Sequence, residues 1–215
     1  MTFRNFLYSD TLIIIFAREP VPGQVKTRLI PTLGEQGATQ LYKQLLDYAV
    51  SNMIDWKFAP VNLCITPESN KSYFIRNGRY RNVELSVQKG ENLGSRMHNA
   101  LASALQNYPK ALLIGTDCPF LSRDDLQQAI MALDGNDMVF SPARDGGYVL
   151  VGAKRLVSDL FEDIDWGTER VMAQSRIALS RYDFRWQELS EQYDIDTKED
   201  LRYLLQHNEF KNIFD

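Results

Sequence analysis

The sequence predicts one α/β domain, residues 1–215, built on a mostly parallel sheet with helices on both faces. The chain has 215 residues, of which 44% are hydrophobic and 24% charged, which is ordinary for a single globular domain. Short apolar runs alternate with segments of helical periodicity. This alternation is typical of a mostly parallel sheet that is covered on both sides.

Each strand is predicted from a short apolar run bounded by polar or turn-forming residues. The predicted strands are Leu12–Ala17, Val61–Thr66, Val83–Val87, Ala111–Gly115, Met138–Ser141, Tyr148–Ala153 and a short one near Tyr182–Trp186.

Each helix is predicted from apolar residues that recur every three or four positions, or from a capping signal. The predicted helices contain Ala38–Ala49 and Met97–Leu105, begin after Ser122, cover Val171–Leu179, and begin again at about Lys198. Ser122 followed by Asp125 is typical of a helix start.

Composition excludes several classes of function. With 24 Lys and Arg against 28 Asp and Glu, the net charge of −4 argues against nucleic-acid binding.

Two cysteines form no disulfide framework and fit a reducing cytoplasm. Two histidines make a His-rich zinc site improbable, so we expect any metal to be Mg²⁺ or Mn²⁺ held by carboxylates. The run Leu12–Ala17 is too short to span a membrane, which predicts a cytoplasmic protein without a membrane partner.

A basic loop follows the first predicted strand. It contains Arg18, Gly23, Lys26 and Arg28. Ligands of α/β sheets bind beyond the carboxyl ends of the strands, so this loop is predicted to bind the phosphates of a nucleotide. The alternative is a solvated basic loop. Arg96, close to the start of another predicted helix, is a second candidate for an anion contact, with an ordinary helix entry as its alternative.

Two acidic segments are candidates for a metal site. Asp117 follows the buried strand Ala111–Gly115, and Asp194 and Asp196 precede the last helix. All three are predicted metal ligands. Alternatively, Asp117 caps the turn before Pro119, and Asp196 is the N-cap of the last helix.

The segment Asp145-Gly146-Gly147-Tyr148 is first a hairpin signal between two strands. Since Asp145 follows a strand whose end faces the predicted site, it is also a candidate for the base that activates an acceptor. Trp166, in a turn before Gly167, could stack on a sugar or base, although a single Trp more often packs in a core.

Six segments together resemble a bacterial family of glycosyltransferase-like proteins, some known as arsenosugar biosynthesis glycosyltransferases, within the nucleotide-diphospho-sugar transferase superfamily. They occur in the family's order: Phe16–Pro20, Lys26–Leu29, Gly115–Pro119, Asp145–Tyr148, Trp166–Thr168 and Asp194–Thr197. The resemblance implies a single-domain GT-A-type fold with a mixed, mainly parallel sheet.

The same resemblance implies roles for individual residues. Arg18, Lys26 and Arg28 would bind the nucleotide, and Asp117, Asp194 and Asp196 would lie at the metal. Asp145 and Trp166 would lie on the acceptor side, where Gly146 and Tyr148 are also expected to contribute.

The expected function is a metal-dependent glycosyltransferase that uses a nucleotide-diphospho-sugar and a small acceptor, with Lys26, Arg28 and Asp145 as catalytic residues. Many such enzymes carry Asp-x-Asp, whereas this chain has Asp117-Cys118-Pro119. That difference, and a basic loop similar to that of phospholactate guanylyltransferase, favours the alternative of a nucleotidylyltransferase that takes a nucleoside triphosphate and releases pyrophosphate. A catalytically silent nucleotide-binding module is a third hypothesis, and the sequence makes no prediction of oligomeric state.

Overall fold

Seven strands form one mixed sheet. The computed structural model describes residues 6–67, 71–81, 83–207 and 210. The strands are β1 (Thr11–Arg18), β2 (Val61–Thr66), β3 (Glu84–Val87), β4 (Lys110–Ile114), β5 (Met138–Pro142), β6 (Tyr148–Ala153) and β7 (Trp186–Glu188). Their spatial order is β3-β2-β1-β4-β6-β5-β7. Only β6 runs against its neighbours, β4 and β5, and the other pairs are parallel.

Six helices accompany this sheet in the described residues. They are α1 (Ile30–Trp56), α2 (Lys71–Arg76), α3 (Leu93–Leu105), α4 (Arg123–Gly135), α5 (Val171–Ser180) and α6 (Lys198–Gln206). Helix α1 has Pro31 in its first turn and is interrupted at Gly34, whose φ of 69° is not helical. None of the helices described combines the length and the apolar character needed to cross a membrane.

The sheet separates two hydrophobic cores because side chains alternate along each strand. In β1, Ile13 and Ile15 pack on the face covered by α1 and α4, whereas Leu12 and Ile14 pack on the face covered by α3 and α5. A third, smaller cluster joins α1 to α6 through Leu41, Leu45, Leu201 and Leu204. Helix α6 is thereby fixed next to the start of α1.

Most predicted elements are found within one or two residues of their expected bounds. The Ser122–Asp125 capping box at α4 is confirmed, and so is the antiparallel pair joined by the Asp145–Gly147 turn. The seventh strand is Trp186–Glu188 and not Tyr182–Trp186, because Tyr182 lies in a turn after α5. The alternative that Asp196 caps α6 is wrong, since Thr197 is the N-cap and Asp200 completes the box.

Candidate functional site

A pocket of about 370 Å³ opens where β1, β2, β3 and β4 end. This is the edge at which α/β sheets bind ligands. Its walls come from the ends of those strands, the loop after β1, Tyr42 of α1 and the start of α3. The lining residues include Phe16, Ala17, Arg18, Gln24, Lys26, Arg28, Tyr42, Thr66, Gln88, Leu93, Arg96, Thr116, Asp117 and Asp196.

Lys26 lies at the centre of the charged part of this pocket. Its backbone adopts the left-handed conformation, with φ of 48°, and its side chain is only 2% exposed. The ammonium group contacts Asp117 Oδ1 at 3.0 Å and Asp196 Oδ1 at 2.9 Å. Burial lowers the pKa of Lys26, but the two carboxylates outweigh burial, and the net pKa is raised. Lys26 is therefore a fixed cation that joins two predicted metal ligands.

Three arginines line the same pocket as this ion pair. Arg28 is 59% exposed and contacts Asp196 Oδ2 at 3.4 Å. Arg18 Nη1 donates to the Gln24 carbonyl at 3.5 Å, and Arg96 Nε donates to the Gly90 carbonyl at 3.3 Å. The pocket lining thus has four cationic side chains against two carboxylates, in a chain whose net charge is −4. This local excess of positive charge suits an anionic ligand.

Gly23 shapes the loop without lining the pocket. It has a φ of 80°, and a Cβ placed there would lie 3.6 Å from the Glu35 carboxyl group. Its contribution to the site is the left-handed turn that glycine favours.

Asp194 is not a lining residue of the pocket, but it is close to the carboxylates of Asp145 and Asp196. Burial, together with repulsion from Asp145 and Asp196, raises the pKa of Asp194 to about 6. Within the residues described, no three His, Cys, Asp or Glu side chains are placed to hold one metal ion together. The predicted ligands Asp117 and Asp196 share Lys26, and Asp194 is not part of that contact.

Asp145 lies exposed at the turn between β5 and β6. Its Oδ1 accepts a hydrogen bond of 2.9 Å from the Gly147 N–H, which leaves Oδ2 available. Gly146 has a φ of 89°, and its carbonyl accepts 2.8 Å from the N–H of Met172 in α5. A Cβ at Gly146 would collide with the Glu169 backbone. Gly146 thus holds the turn against α5, and only backbone atoms are available there for a ligand.

Tyr148 and Trp166 are not brought into the pocket. The Tyr148 hydroxyl is buried in the core near Ser175 without a hydrogen-bond partner among the described residues, and burial raises its pKa. The Trp166 indole stacks on Phe161 at 6.5 Å between ring centroids and covers Gly94. In this arrangement both rings are packing residues, and their expected contacts with an acceptor stay a prediction.

The pocket lining also includes Tyr42, Thr66, Gln88 and Leu93, which were not predicted as site residues. The Tyr42 hydroxyl accepts from the Arg18 N–H at 2.8 Å and donates to the Arg18 carbonyl at 3.0 Å. Thr66 ends β2 and Gln88 follows β3, so the strand-end rule could have found both. Tyr42 carries no such signal, because a tyrosine on the buried face of a helix is expected in any core.

Comparison with known proteins identifies the family. Residues 49–168 match a model described as an uncharacterized protein conserved in bacteria (DUF2064). The chain belongs to this family. No curated protein gives a significant match to this DUF2064 protein.

Solved structures confirm the expected GT-A-type fold of the superfamily. A protein from Desulfovibrio desulfuricans G20, described as a nucleotide-diphospho-sugar transferase, is 28% identical with a TM-score of 0.85, covering 95% of this chain and 89% of that one. The 4-diphosphocytidyl-2C-methyl-D-erythritol synthase of Anaerococcus prevotii DSM 20548 shares the fold at 13% identity and TM-score 0.61, covering 93% and 99%. Rv0371c of Mycobacterium tuberculosis H37Rv, in complex with manganese, shares the fold at 18% identity and a TM-score of 0.55. The match covers 93% of this chain and 100% of that one.

Proposed function

We propose that this DUF2064 protein is a nucleotide-dependent transferase that moves a glycosyl group from a nucleotide-diphospho-sugar to the hydroxyl group of a small acceptor. The observation that carries the choice of reaction is a pair of acidic neighbours beside the Lys26 cluster: Asp194 interacts with both Asp145 and Lys26, and Asp145 is exposed at its turn. A hydroxyl acceptor needs a base, which a carboxylate supplies. A phosphate acceptor is already anionic and would be repelled there.

The donor's diphosphate would lie in the basic part of the pocket. Lys26 is held in place by two carboxylates, and Arg28 is exposed enough to turn toward a phosphate. Arg18 and Arg96 make only long hydrogen bonds to backbone carbonyls. Such preplaced cations stabilise the negative charge that develops on a departing nucleoside diphosphate. The 28% identical relative described as a nucleotide-diphospho-sugar transferase supports this assignment.

The same two carboxylates are candidates for a divalent cation that binds beside Lys26. Magnesium is usually bound by one or two carboxylates together with substrate phosphates, and Asp117 and Asp196 both reach a single ammonium group. We propose that these two residues hold Mg²⁺ or Mn²⁺ when the donor binds, with Asp194 as their acidic neighbour. The cation would supply charge neutralisation at the diphosphate.

In the proposed reaction, the acceptor oxygen forms a bond to the anomeric carbon while the bond from that carbon to the diphosphate oxygen breaks. The acceptor hydroxyl proton passes to Asp145, whose Oδ1 already accepts a hydrogen bond from Gly147 and whose Oδ2 accepts none from the described residues. Lys26 and Arg28 keep the leaving group in place.

A nucleotidylyltransferase is the second candidate. Asp117 is followed by Cys118-Pro119, so the segment has one carboxylate in place of the Asp-x-Asp of many glycosyltransferases. The synthase of a diphosphocytidyl product shares the fold. In this case an acceptor phosphate would attack the α-phosphate of a nucleoside triphosphate and pyrophosphate would leave.

The deciding experiment compares products. The protein is incubated with Mn²⁺, a panel of small alcohols, sugars and their phosphate esters, and either nucleotide-sugars or nucleoside triphosphates. Release of nucleoside diphosphate supports glycosyl transfer, whereas release of pyrophosphate supports the second candidate. Binding of a nucleotide without any turnover would overturn both in favour of a silent binding module.

Two variants test the residue roles. We expect Asp117→Asn to abolish turnover and its dependence on Mn²⁺, and Asp145→Asn to lower kcat by about a hundredfold with the donor's KM unchanged. Asp55→Asn is the matched control, since Asp55 is exposed near the far end of α1. An unchanged turnover in Asp117→Asn would contradict the proposal.

A further inference from the structure

Gln88 lies at the opposite end of the pocket from the ion pair and has an unusual set of partners. Its backbone N–H donates to the Ile65 carbonyl at 2.9 Å, which extends the pairing of β3 with β2. Its side chain crosses the strand ends, and Nε2 donates to the carbonyls of Cys64 at 3.0 Å and Ala17 at 3.2 Å. A single side chain thus links the ends of β1, β2 and β3.

These partners fix which way the amide faces. Carbonyl oxygens accept but cannot donate, so the NH₂ of Gln88, and not its oxygen, must face them. Both N–H groups are then used. The carbonyl oxygen Oε1 is the only polar atom of the Gln88 side chain left for a ligand, and it can only accept a hydrogen bond.

Oε1 is open to the pocket. Gln88 lines the pocket, and its Oε1 accepts no hydrogen bond from any residue that the structure describes. Oε1 is also not buried in the core. Among the described residues, the side-chain polar atoms that are both buried and without a hydrogen-bond partner are His98 Nδ1 and the Tyr148 hydroxyl.

The surroundings of Gln88 suit a flat ring. Phe16 is half-buried at the pocket wall, and Leu93 is 41% exposed although it is a large hydrophobic residue. Thr66 lies on the same wall. The cationic groups and carboxylates belong to the loop after β1, to α3 and to the segments after β4 and before α6. The strand order β3-β2-β1-β4 separates the backbones at Gln88 and Asp117 by roughly 14 Å, at about 4.8 Å per strand.

We infer that Gln88 is the residue that reads the nucleobase, and that it does so as a hydrogen-bond acceptor. The base bound here must present an N–H group, amino or imino, toward the end of β3, with its ring between Phe16 and Leu93. This inference rests on the proposed function, because it takes the ligand to be a nucleotide whose phosphates lie near Lys26.

The test compares each nucleotide with an analogue whose base lacks the N–H group proposed to face Gln88. Dissociation constants are measured with Mn²⁺ for the diphosphates of the four common nucleosides, and then for analogues without that group. The analogues are 3-methyluridine for uridine, pyrimidin-2-one riboside for cytidine, and purine riboside for the purines. We expect the preferred nucleotide to bind wild-type protein about tenfold more tightly than its analogue, which corresponds to about 1.4 kcal/mol.

Gln88→Met removes the hydrogen-bond acceptor Oε1 and keeps a side chain of similar length. We expect this variant to bind the preferred nucleotide and its analogue equally, at the weaker affinity, and to bind inorganic pyrophosphate as wild-type protein does. Pyrophosphate also reports whether the variant is folded. The comparison of nucleotides on wild-type protein stands without any variant.

The outcomes separate the two proposals. If no nucleotide of any base binds, the proposed function fails. If nucleotides bind but wild-type protein does not distinguish them from the analogues, the assignment of Gln88 is overturned and the function is not. The assignment is also overturned if Gln88→Met keeps the tenfold preference, because another group then reads the N–H.

Discussion

The backbone N–H of Ile195 donates a hydrogen bond of 2.9 Å to the carbonyl of Asp117. This bond ties the segment after β4 to the segment before α6. The side chain of Asp196 therefore faces the same Lys26 ammonium as that of Asp117. Because Ile195 is fully buried in the cluster that joins α1 to α6, the packing of this cluster helps to fix the spacing of the two carboxylates.

The first prediction concerns the cation between those carboxylates. In Lys26→Met, Asp117 and Asp196 lose their shared partner and repel each other. We expect a loss of about 1–3 kcal/mol in the free energy of unfolding, below the value for a fully buried pair because the carboxylates are 41% and 33% exposed. Mn²⁺ should recover part of this loss, since it can replace the ammonium. Thermal unfolding with and without Mn²⁺ measures both effects.

Lys198→Met is the control for Lys26→Met, because Lys198 is exposed and has no ion pair among the described residues. It should change neither the stability nor the response to Mn²⁺. If Mn²⁺ stabilises Lys26→Met no more than wild-type protein, the carboxylates are not a cation site.

The sequence was sufficient to predict that Lys26 and Asp117 lie at the same edge of the sheet, where they line one pocket, but not to predict their contacts. Asp117 and Lys26 could be predicted because each follows a strand whose end faces the ligand side. The bond from Lys26 to Asp196 joins positions 170 residues apart, and local patterns carry no information about such a pairing. The alternative that Asp196 caps α6 was wrong because Thr197 is also a good cap and forms a capping box with Asp200. The side chain of Asp196 is paired with Lys26 instead.

Side-chain direction explains the other differences. The turn Asp145–Gly147 was predicted correctly, but the bulge between Ser141 and Pro142 changes the register just before it. Tyr148 then packs with the core on the α5 face. A strand is predicted from side chains that alternate between its two faces, and this pattern does not reveal a bulge. A bulge moves the side chains beyond it to the opposite face of the sheet.

The second prediction concerns Tyr42, whose hydroxyl bonds to both backbone polar groups of Arg18. Burial, with repulsion from Asp117, raises the pKa of Tyr42 to about 12, so the hydroxyl keeps its proton at neutral pH. We expect Tyr42→Phe to lower the free energy of unfolding by about 1–2 kcal/mol, because both groups of Arg18 lose their partner. Nucleotide affinity should fall as well, since Arg18 lines the pocket.

Urea unfolding and nucleotide titration of Tyr42→Phe measure these two effects. Tyr48→Phe is the matched control, since Tyr48 is on the same helix and its hydroxyl bonds to no described residue. Equal behaviour of the two variants would contradict the role given to Tyr42.

The third prediction concerns Gly94 in the first turn of α3. A Cβ at this position would lie 2.4 Å from the Phe161 carbonyl and 2.7 Å from the Trp166 indole nitrogen. We expect Gly94→Ala to lower the free energy of unfolding by about 1–3 kcal/mol through overpacking. In the matched control Gly135→Ala, a Cβ meets nothing within 4 Å, so we expect no loss of stability. If Gly94→Ala is tolerated, the Trp166 loop moves easily, and a direct contact between Trp166 and an acceptor regains support.

The fourth prediction concerns pH and the pair of Arg176 in α5 with Glu188 in β7. Arg176 Nε and Nη2 contact the two oxygens of Glu188 at 2.7 and 2.6 Å, and this hydrogen-bonded cation lowers the pKa of Glu188 below its ordinary value of 4.5. Because the folded-state pKa is lowered, the stabilisation is complete above pH 4.5 and is lost as the pH falls through the folded value.

Glu188→Gln should therefore cost about 0.5–1 kcal/mol at pH 7, a modest value because both side chains are partly exposed. The difference between wild-type protein and the variant should shrink as the pH falls below 4.5, because the pKa of Glu188 is lowered in the folded state. Urea unfolding at pH 7, 5 and 3 measures it, and Glu199→Gln serves as the control, since its pair with Arg202 is exposed and long at 3.8 Å. A difference that stays constant from pH 7 to pH 3 would mean that Glu188 contributes through packing and not through its charge.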